Sequence, residues 1–212
     1  MAGKFCLVLV ASLLYKGAVG LSVGVQPQQQ IAQEGEKITV QCRVAEPLDG
    51  CTFEIPNEPT LSLSPVKQAY HGIKYFGEGL DRGFCGMEMT VQNKHNGIVS
   101  CSVTPKAEAV TTKANMTLIV ARKPNAPELS ITKPQKGAVY MEDEQIAATC
   151  VVRNGRPAAN ITWYIGESKI TEGLSPVSEE VSPTDVLFTI KQTLTRKLRA
   201  SDNGKPLKCV AG

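Results

Sequence analysis

Hydrophobic and polar residues alternate with a period of two along most of this chain. After the turn Glu34-Gly35-Glu36, the segment Lys37 to Cys42 places Ile38, Val40 and Cys42 on one face and Thr39 and Gln41 on the other. The segment after Glu142-Asp143-Glu144 repeats this, with Ile146, Ala148 and Cys150 aligned. Val99, Cys101 and Val103 form a stripe after the turn Asn96-Gly97. Leu207, Cys209 and Ala211 form another after Asp202-Asn203-Gly204. Between the cysteines, Met87, Met89 and Val91 alternate in the first half, and Val186, Phe188 and Ile190 in the second. No stretch carries a 3.6-residue apolar stripe, so the pattern predicts an all-β protein.

The stripes contain cysteines at repeating intervals. Cys42 and Cys101 are 59 positions apart, as are Cys150 and Cys209. The second pair follows the first at a domain-sized offset, which predicts one cross-linked module used twice. In the second copy, Trp163 lies in Ile161-Thr162-Trp163-Tyr164-Ile165, with Ile161, Trp163 and Ile165 on one face. A cysteine on one strand, a core tryptophan on the next and a distant second cysteine predict an immunoglobulin-like sandwich, the indole packing on the inter-sheet disulfide. The fold class expected is all-β, as tandem immunoglobulin-like β-sandwiches. The first, variable-like module is assigned to residues 21–121, a Pro-containing linker to 122–127 and the second module to 128–212. Pro124 and Pro127 make the linker short and stiff.

The first copy departs from this pattern. It has no tryptophan, and its matching region reads Cys51-Thr52-Phe53-Glu54-Ile55-Pro56. Val99 and Leu207 stand where the fold usually has a tyrosine two residues before the second cysteine. Cys51 and Cys85 form an additional nested pair. The sequence places Cys51 at the end of a loop over Ala45 to Gly50, and Cys85 in the loop before the Met87 strand. Those loops share one end of such a sandwich. A bridge there either preorganises a partner-facing surface or acts as a stability staple. Closing loops of these lengths restrains the unfolded chain by about 4 kcal/mol each.

Residues 1–20 read as a secretory signal peptide, with Lys4, an apolar run from Phe5 to Leu14, and small residues Ala18 and Gly20. The run is shorter than the ~20 residues a membrane-spanning helix needs, which disfavours a signal anchor. Seven cysteines occur, and removal of Cys6 with the leader leaves six, an even number suited to disulfides in an oxidising compartment. Formal net charge is +3, from 23 Lys and Arg against 20 Asp and Glu, and the leader carries two of those cations. No long single-sign run occurs, so a nucleic-acid partner has no electrostatic support.

Candidate chemistry is sparse. The cysteine spacing lacks the close ligand pairs that zinc needs. Glu142-Asp143-Glu144 reads as an ordinary acidic turn rather than a calcium site, because Glu34-Gly35-Glu36 occupies the matching place. His71 and His95 lie in turn-rich sequence and read as exposed loop residues, with no nucleophile arranged beside them. No cofactor, metal or catalytic set is expected, and the chain reads as non-enzymatic. Asn115-Met116-Thr117 and Asn160-Ile161-Thr162 are N-glycosylation acceptors. Strand parity turns Asn115 and Asn160 outward. Tyr70, Tyr75 and Phe76 are aromatics of a kind that serve either the core or an interface.

Several blocks of the first copy resemble the fasciclin III-like adhesion glycoproteins, an insect immunoglobulin-superfamily group. They are Cys51-Thr52-Phe53-Glu54-Ile55-Pro56, Leu61-Ser62-Leu63-Ser64-Pro65, Tyr75-Phe76-Gly77-Glu78-Gly79-Leu80 and Phe84-Cys85-Gly86. The run from Arg153 through Asn154-Gly155-Arg156-Pro157 to Ile165 is similar to that family's second domain. The resemblance spans most of the chain after the leader and is thin from about Lys169 to Val181. It implies homophilic cell–cell adhesion in neurons or epithelia by a type I membrane protein with three extracellular modules. A soluble or heterophilic recognition protein, binding another cell-surface immunoglobulin-type chain, is the other reading. Only three residues follow Cys209, too few for a final strand. The chain is thus read as a fragment whose membrane attachment lies in further sequence, with a secreted short form as the alternative.

Overall fold

The computed structural model describes residues 22–107, 110–132 and 139–212, so the leader read over 1–20 lies outside the described residues. Nine strands form the first sandwich: β1 (Gly24–Gln26), β2 (Gln29–Gln33), β3 (Lys37–Arg43), β4 (Leu48–Glu54), β5 (Leu61–Ser62), β6 (Lys74–Phe76), β7 (Phe84–Thr90), β8 (Gly97–Pro105) and β9 (Thr112–Ala121). One sheet has the order β1-β3-β7-β6 and the other β2-β9-β8-β4-β5. All neighbours are antiparallel except β2, which runs parallel to β9.

The second sandwich contains β10 (Glu128–Ile131), β11 (Gln145–Gly155), β12 (Ile161–Ile165), β13 (Ser168–Ile170), β14 (Ser178–Val181), β15 (Phe188–Lys197) and β16 (Leu207–Ala211). Its sheets are β10-β11-β15-β14 and β13-β12-β16. Among the described residues, helix is confined to three short 3-10 turns.

The alternating stripes become the two cores. Ile38, Val40, Cys42, Met87, Met89, Val91, Val99, Cys101 and Val103 are all buried between the first pair of sheets. Ile146, Ala148, Cys150, Ile190 and Leu194 do the same in the second, around a fully buried Trp163. Leu207, Cys209 and Ala211 on β16 are only half-buried. Strand β8 lies between β9 and β4, whereas β16 pairs with β12 alone among the described residues.

The two turns before β3 and β11 are built alike. Gly35 and Asp143 both take a left-handed backbone, with φ of 87° and 64°. Glu36 accepts from the Gln33 amide and Glu144 from the Met141 amide, each at 2.9 Å. These carboxylates serve backbone N–H groups rather than a cation.

Three expectations about strand placement need correction. Cys51 does not end a loop: β4 starts at Leu48, because Leu48 turns inward and is fully buried, and Cys51 lies in mid-strand. Cys85 likewise sits inside β7, in register with Cys42. Val186 does not join the Phe188 and Ile190 stripe. It is exposed with φ of 51°, and the inward positions continue from Ile190 to Gln192 and Leu194 instead. A β-branched residue at positive φ belongs to a strained turn, not a strand.

Candidate recognition surface and inter-module junction

Three disulfides link Cys42 to Cys101, Cys51 to Cys85, and Cys150 to Cys209. Both bridges of the first sandwich join its two sheets, and all four sulfur-bearing residues are buried. The nested bridge is therefore part of the core and fixes no partner-facing loop. Its place follows from register. Phe53 stands opposite Cys101 as Trp163 stands opposite Cys209. The indole N–H of Trp163 donates to Gln192 Oε1 at 3.0 Å, and Gln192 Nε2 donates to the Ser175 carbonyl at 3.0 Å. Phe53 has no such donor to satisfy, so its sandwich needs no buried amide nearby.

The Tyr75 to Gly86 block packs around strand β6. The Tyr75 hydroxyl donates to the Phe84 carbonyl at 2.8 Å and accepts from the Gly79 amide at 3.2 Å. Burial pushes the phenol up, so it stays protonated and able to donate. Two glycines are dictated by close approach. A Cβ on Gly83, whose φ is 75°, would lie 2.2 Å from the Val44 carbonyl oxygen, and one on Gly86 would lie 2.3 Å from that of Phe76. Tyr75 is half-buried, but Phe76 remains 43% exposed on the outer face. On the same sheet, the Arg43 guanidinium lies 4.7 Å over the ring of Phe84, which is itself buried. Exposed Arg43 and Phe76 give this arginine–aromatic patch on sheet β1-β3-β7-β6 side-chain types that are enriched at protein interfaces. Tyr70 lies elsewhere, stacked on exposed His71 at 4.2 Å.

His95 is not an exposed loop residue. It is 2% exposed, its Nδ1 accepts from the Gln92 amide at 3.1 Å, and its Nε2 meets Glu58 Oε1 at 3.0 Å. Lys94 Nζ approaches the same carboxylate oxygen at 2.7 Å. The Lys94 and His95 hydrogen bonds hold the buried Glu58 carboxyl below its usual range, against the opposing effect of burial. The short Asn93 to Asn96 segment is thus a hub. Asn57 Nδ2 donates to the Lys94 carbonyl at 2.7 Å, and Asn96 Oδ1 accepts from the Val120 amide at 3.0 Å. An Asn-Gly turn signal alone carries no hint of this wiring.

The hub also reaches the second sandwich through Arg156. This side chain is 6% exposed and spends its donors on both modules. Nε donates to the Val120 carbonyl, Nη2 to Asn93 Oδ1 at 2.7 Å, and Nη1 to the Asp185 carbonyl at 2.9 Å. The backbones of Arg122 and Arg156 exchange two hydrogen bonds, at 2.7 and 3.0 Å, and the Asn125 amide donates to the Arg153 carbonyl at 2.9 Å. The linker is therefore laced onto the second module, and its restraint comes from these bonds as well as from proline. A polar cleft of about 310 Å³ lies here, lined among others by Lys94, Arg122, Arg156 and Asp185.

Asn115 and Asn160 are both exposed. Among the described residues, no group of three or more His, Cys, Asp or Glu side chains is placed to hold a metal, and no helix is long and apolar enough to cross a membrane.

Comparison with known proteins agrees with this architecture. A family described as the CD80-like C2-set immunoglobulin domain matches residues 125–212. Fasciclin-3 of Drosophila melanogaster is 30% identical over 211 residues, covering 97% of this chain and 41% of that protein. Basal cell adhesion molecule of Homo sapiens is 37% identical over 112 residues, covering 49% of this chain and 17% of that protein. The Irregular chiasm C-roughest protein of Drosophila melanogaster is 24% identical over 208 residues, covering 96% of this chain and 26% of that protein. The crystal structure of Rst D1-D2 superimposes with a TM-score of 0.63 over 90% of this chain and 91% of its own, at 22% identity, which speaks to the fold. The chain spans less than half the length of these curated relatives.

Proposed function

We propose that this chain, which is similar to insect fasciclin-3 along nearly its whole length and to the CD80-like C2-set immunoglobulin domain over residues 125–212, is a member of the immunoglobulin superfamily and the extracellular recognition part of a cell adhesion glycoprotein. Its partner is a second copy of itself on an opposing cell, in neurons or epithelia. In complete form the protein is a type I membrane protein, attached through sequence outside these 212 residues. The observation that carries this reading is the fasciclin-3 similarity, 30% identity along 97% of this chain.

Cell–cell adhesion of this kind rests on many weak contacts acting together. Each module pair can bind weakly while an array of them holds firmly. A fixed angle between modules aids such an array, because copies that present their surfaces alike lose less freedom on docking. The Arg156 clamp supports that requirement. The test is display of the chain on non-adhesive cells mixed with differently coloured control cells. Clusters confined to displaying cells support homophily. Clusters that form only with cells bearing a different surface protein support heterophilic recognition instead.

A further inference from the structure

We propose that the polar cleft at the junction of the two modules binds an oxyanion of the sulfate or sulfate-ester class, held by Arg122 with Arg156 and Lys94 around it. The proposal rests on neither homophily nor the adhesion reading.

Arg156 follows β11, Arg122 follows β9, and Lys94 lies in the short turn between β7 and β8; all three line the cleft, as does Asp185. Arg156 supplies the first observation that points to an anion. Its side chain is 6% exposed, yet its hydrogen bonds go to two carbonyls and one amide oxygen, all neutral. Arg82, Arg153 and Arg196 each pair with a carboxylate. Neither Arg156 nor Arg122 has such a partner among the described residues. A buried cation without a counter-charge is costly. Burial and the Arg122 charge both push the Arg156 guanidinium below its usual range, with Asp185 acting against them.

The lining is also rich in donors. Asn93 and Asn96 spend their side-chain oxygens on Arg156 Nη2 and the Val120 amide. Their NH2 groups are left without an acceptor among the described residues. Lys94 gives one N–H to Glu58. The exposed Arg122 side chain donates to no described residue. Three cations (Lys94, Arg122 and Arg156) thus stand against two carboxylates, Glu58 and Asp185.

An oxyanion answers both shortages. It brings the missing negative charge, and its oxygens accept from several directions at once, which suits the planar fork of a guanidinium. The same excess of positive charge turns away a metal cation. The cleft's volume of about 310 Å³ lies at the lower end of small-molecule sites. Because Lys94 belongs to one module, Arg156 to the other and Arg122 to the linker, a bound anion would also brace the junction.

The test melts the purified full chain in rising sodium sulfate, with sodium chloride at equal ionic strength as control. Sulfate stabilises folded chains in general through exclusion from their surface, so the site is read from the part of the shift that saturates. Arg122→Gln should lose about tenfold in sulfate affinity, the worth of one charge-assisted hydrogen bond. Asp185→Asn removes the opposing carboxylate and should bind sulfate severalfold more tightly, which keeps the test open should Arg122→Gln fail to fold. A shift that never saturates, or that both variants leave unchanged, overturns the proposal. Retention on heparin but not on desulfated heparin, weakened in Arg122→Gln, assigns the cleft to a sulfated polysaccharide. Saturable sulfate binding without that retention assigns it to the free anion.

Discussion

Cys85 and Gln192 occupy the same register position in the two sandwiches, each directly opposite the first cysteine of its own module, Cys42 or Cys150. The two modules resolve that position in different ways. Where the adjacent core aromatic is Trp163, its N–H requires an acceptor, and Gln192 supplies one at 3.0 Å. Where the aromatic is Phe53, the position is released from that duty and holds a cysteine bridged to Cys51. Gln192→Ala should thus destabilise the second module by about 1–3 kcal/mol, the cost of a buried donor left unpaired. Gln192→Glu at neutral pH should be no milder, because it buries a charge. Denaturant unfolding of the variants checks both.

Replacing Cys51 and Cys85 together by alanine should lower stability by about 4 kcal/mol. Self-association of the folded fraction should stay unchanged, since both residues are buried and away from any surface. Melting and sedimentation measured on the same preparation separate the two effects. Weakened association at temperatures where the variant is still folded would return the bridge to a surface role.

Arg156→Ala removes three donors shared between the modules. Each sandwich keeps its own core, so the expected loss is about 1–3 kcal/mol, accompanied by a wider spread of inter-module angles. Small-angle scattering should show that spread, and Arg156→Lys should not repair it, because an ammonium cannot reproduce the planar fork of a guanidinium.

Acid sensitivity should centre partly on Glu58. Its carboxyl is held below the usual range by Lys94 and His95. As pH falls, the unfolded chain takes up this proton first. The stabilising contribution is therefore complete above the ordinary carboxylate range and disappears as pH drops through the lowered native value. Glu58→Gln should flatten the stability profile in that window and lower stability at neutral pH by about 1–3 kcal/mol. Unfolding titrations across acidic pH measure the slope.

Strand parity around Cys42, Cys101, Cys150 and Trp163 was legible in the sequence because each side chain's face follows from a period of two. The Val186 stripe misled because alternation alone cannot distinguish a strand from a strained turn ending in one. Long-range wiring was less accessible. His95, Glu58 and Lys94 come together across separate loops, and Arg156 meets Asn93 across two modules. Those contacts depend on how the sandwiches are packed, which no local pattern encodes. Gly83 and Gly86 stood inside or beside the quoted family blocks, yet their role emerged only from the carbonyls facing them.

Two-colour bead aggregation with the purified chain tests the central claim most directly. Beads of both colours coated with this protein alone should form mixed clusters, while uncoated beads stay apart. Coated beads that remain single until a different cell-surface immunoglobulin-type protein is supplied would contradict homophilic adhesion.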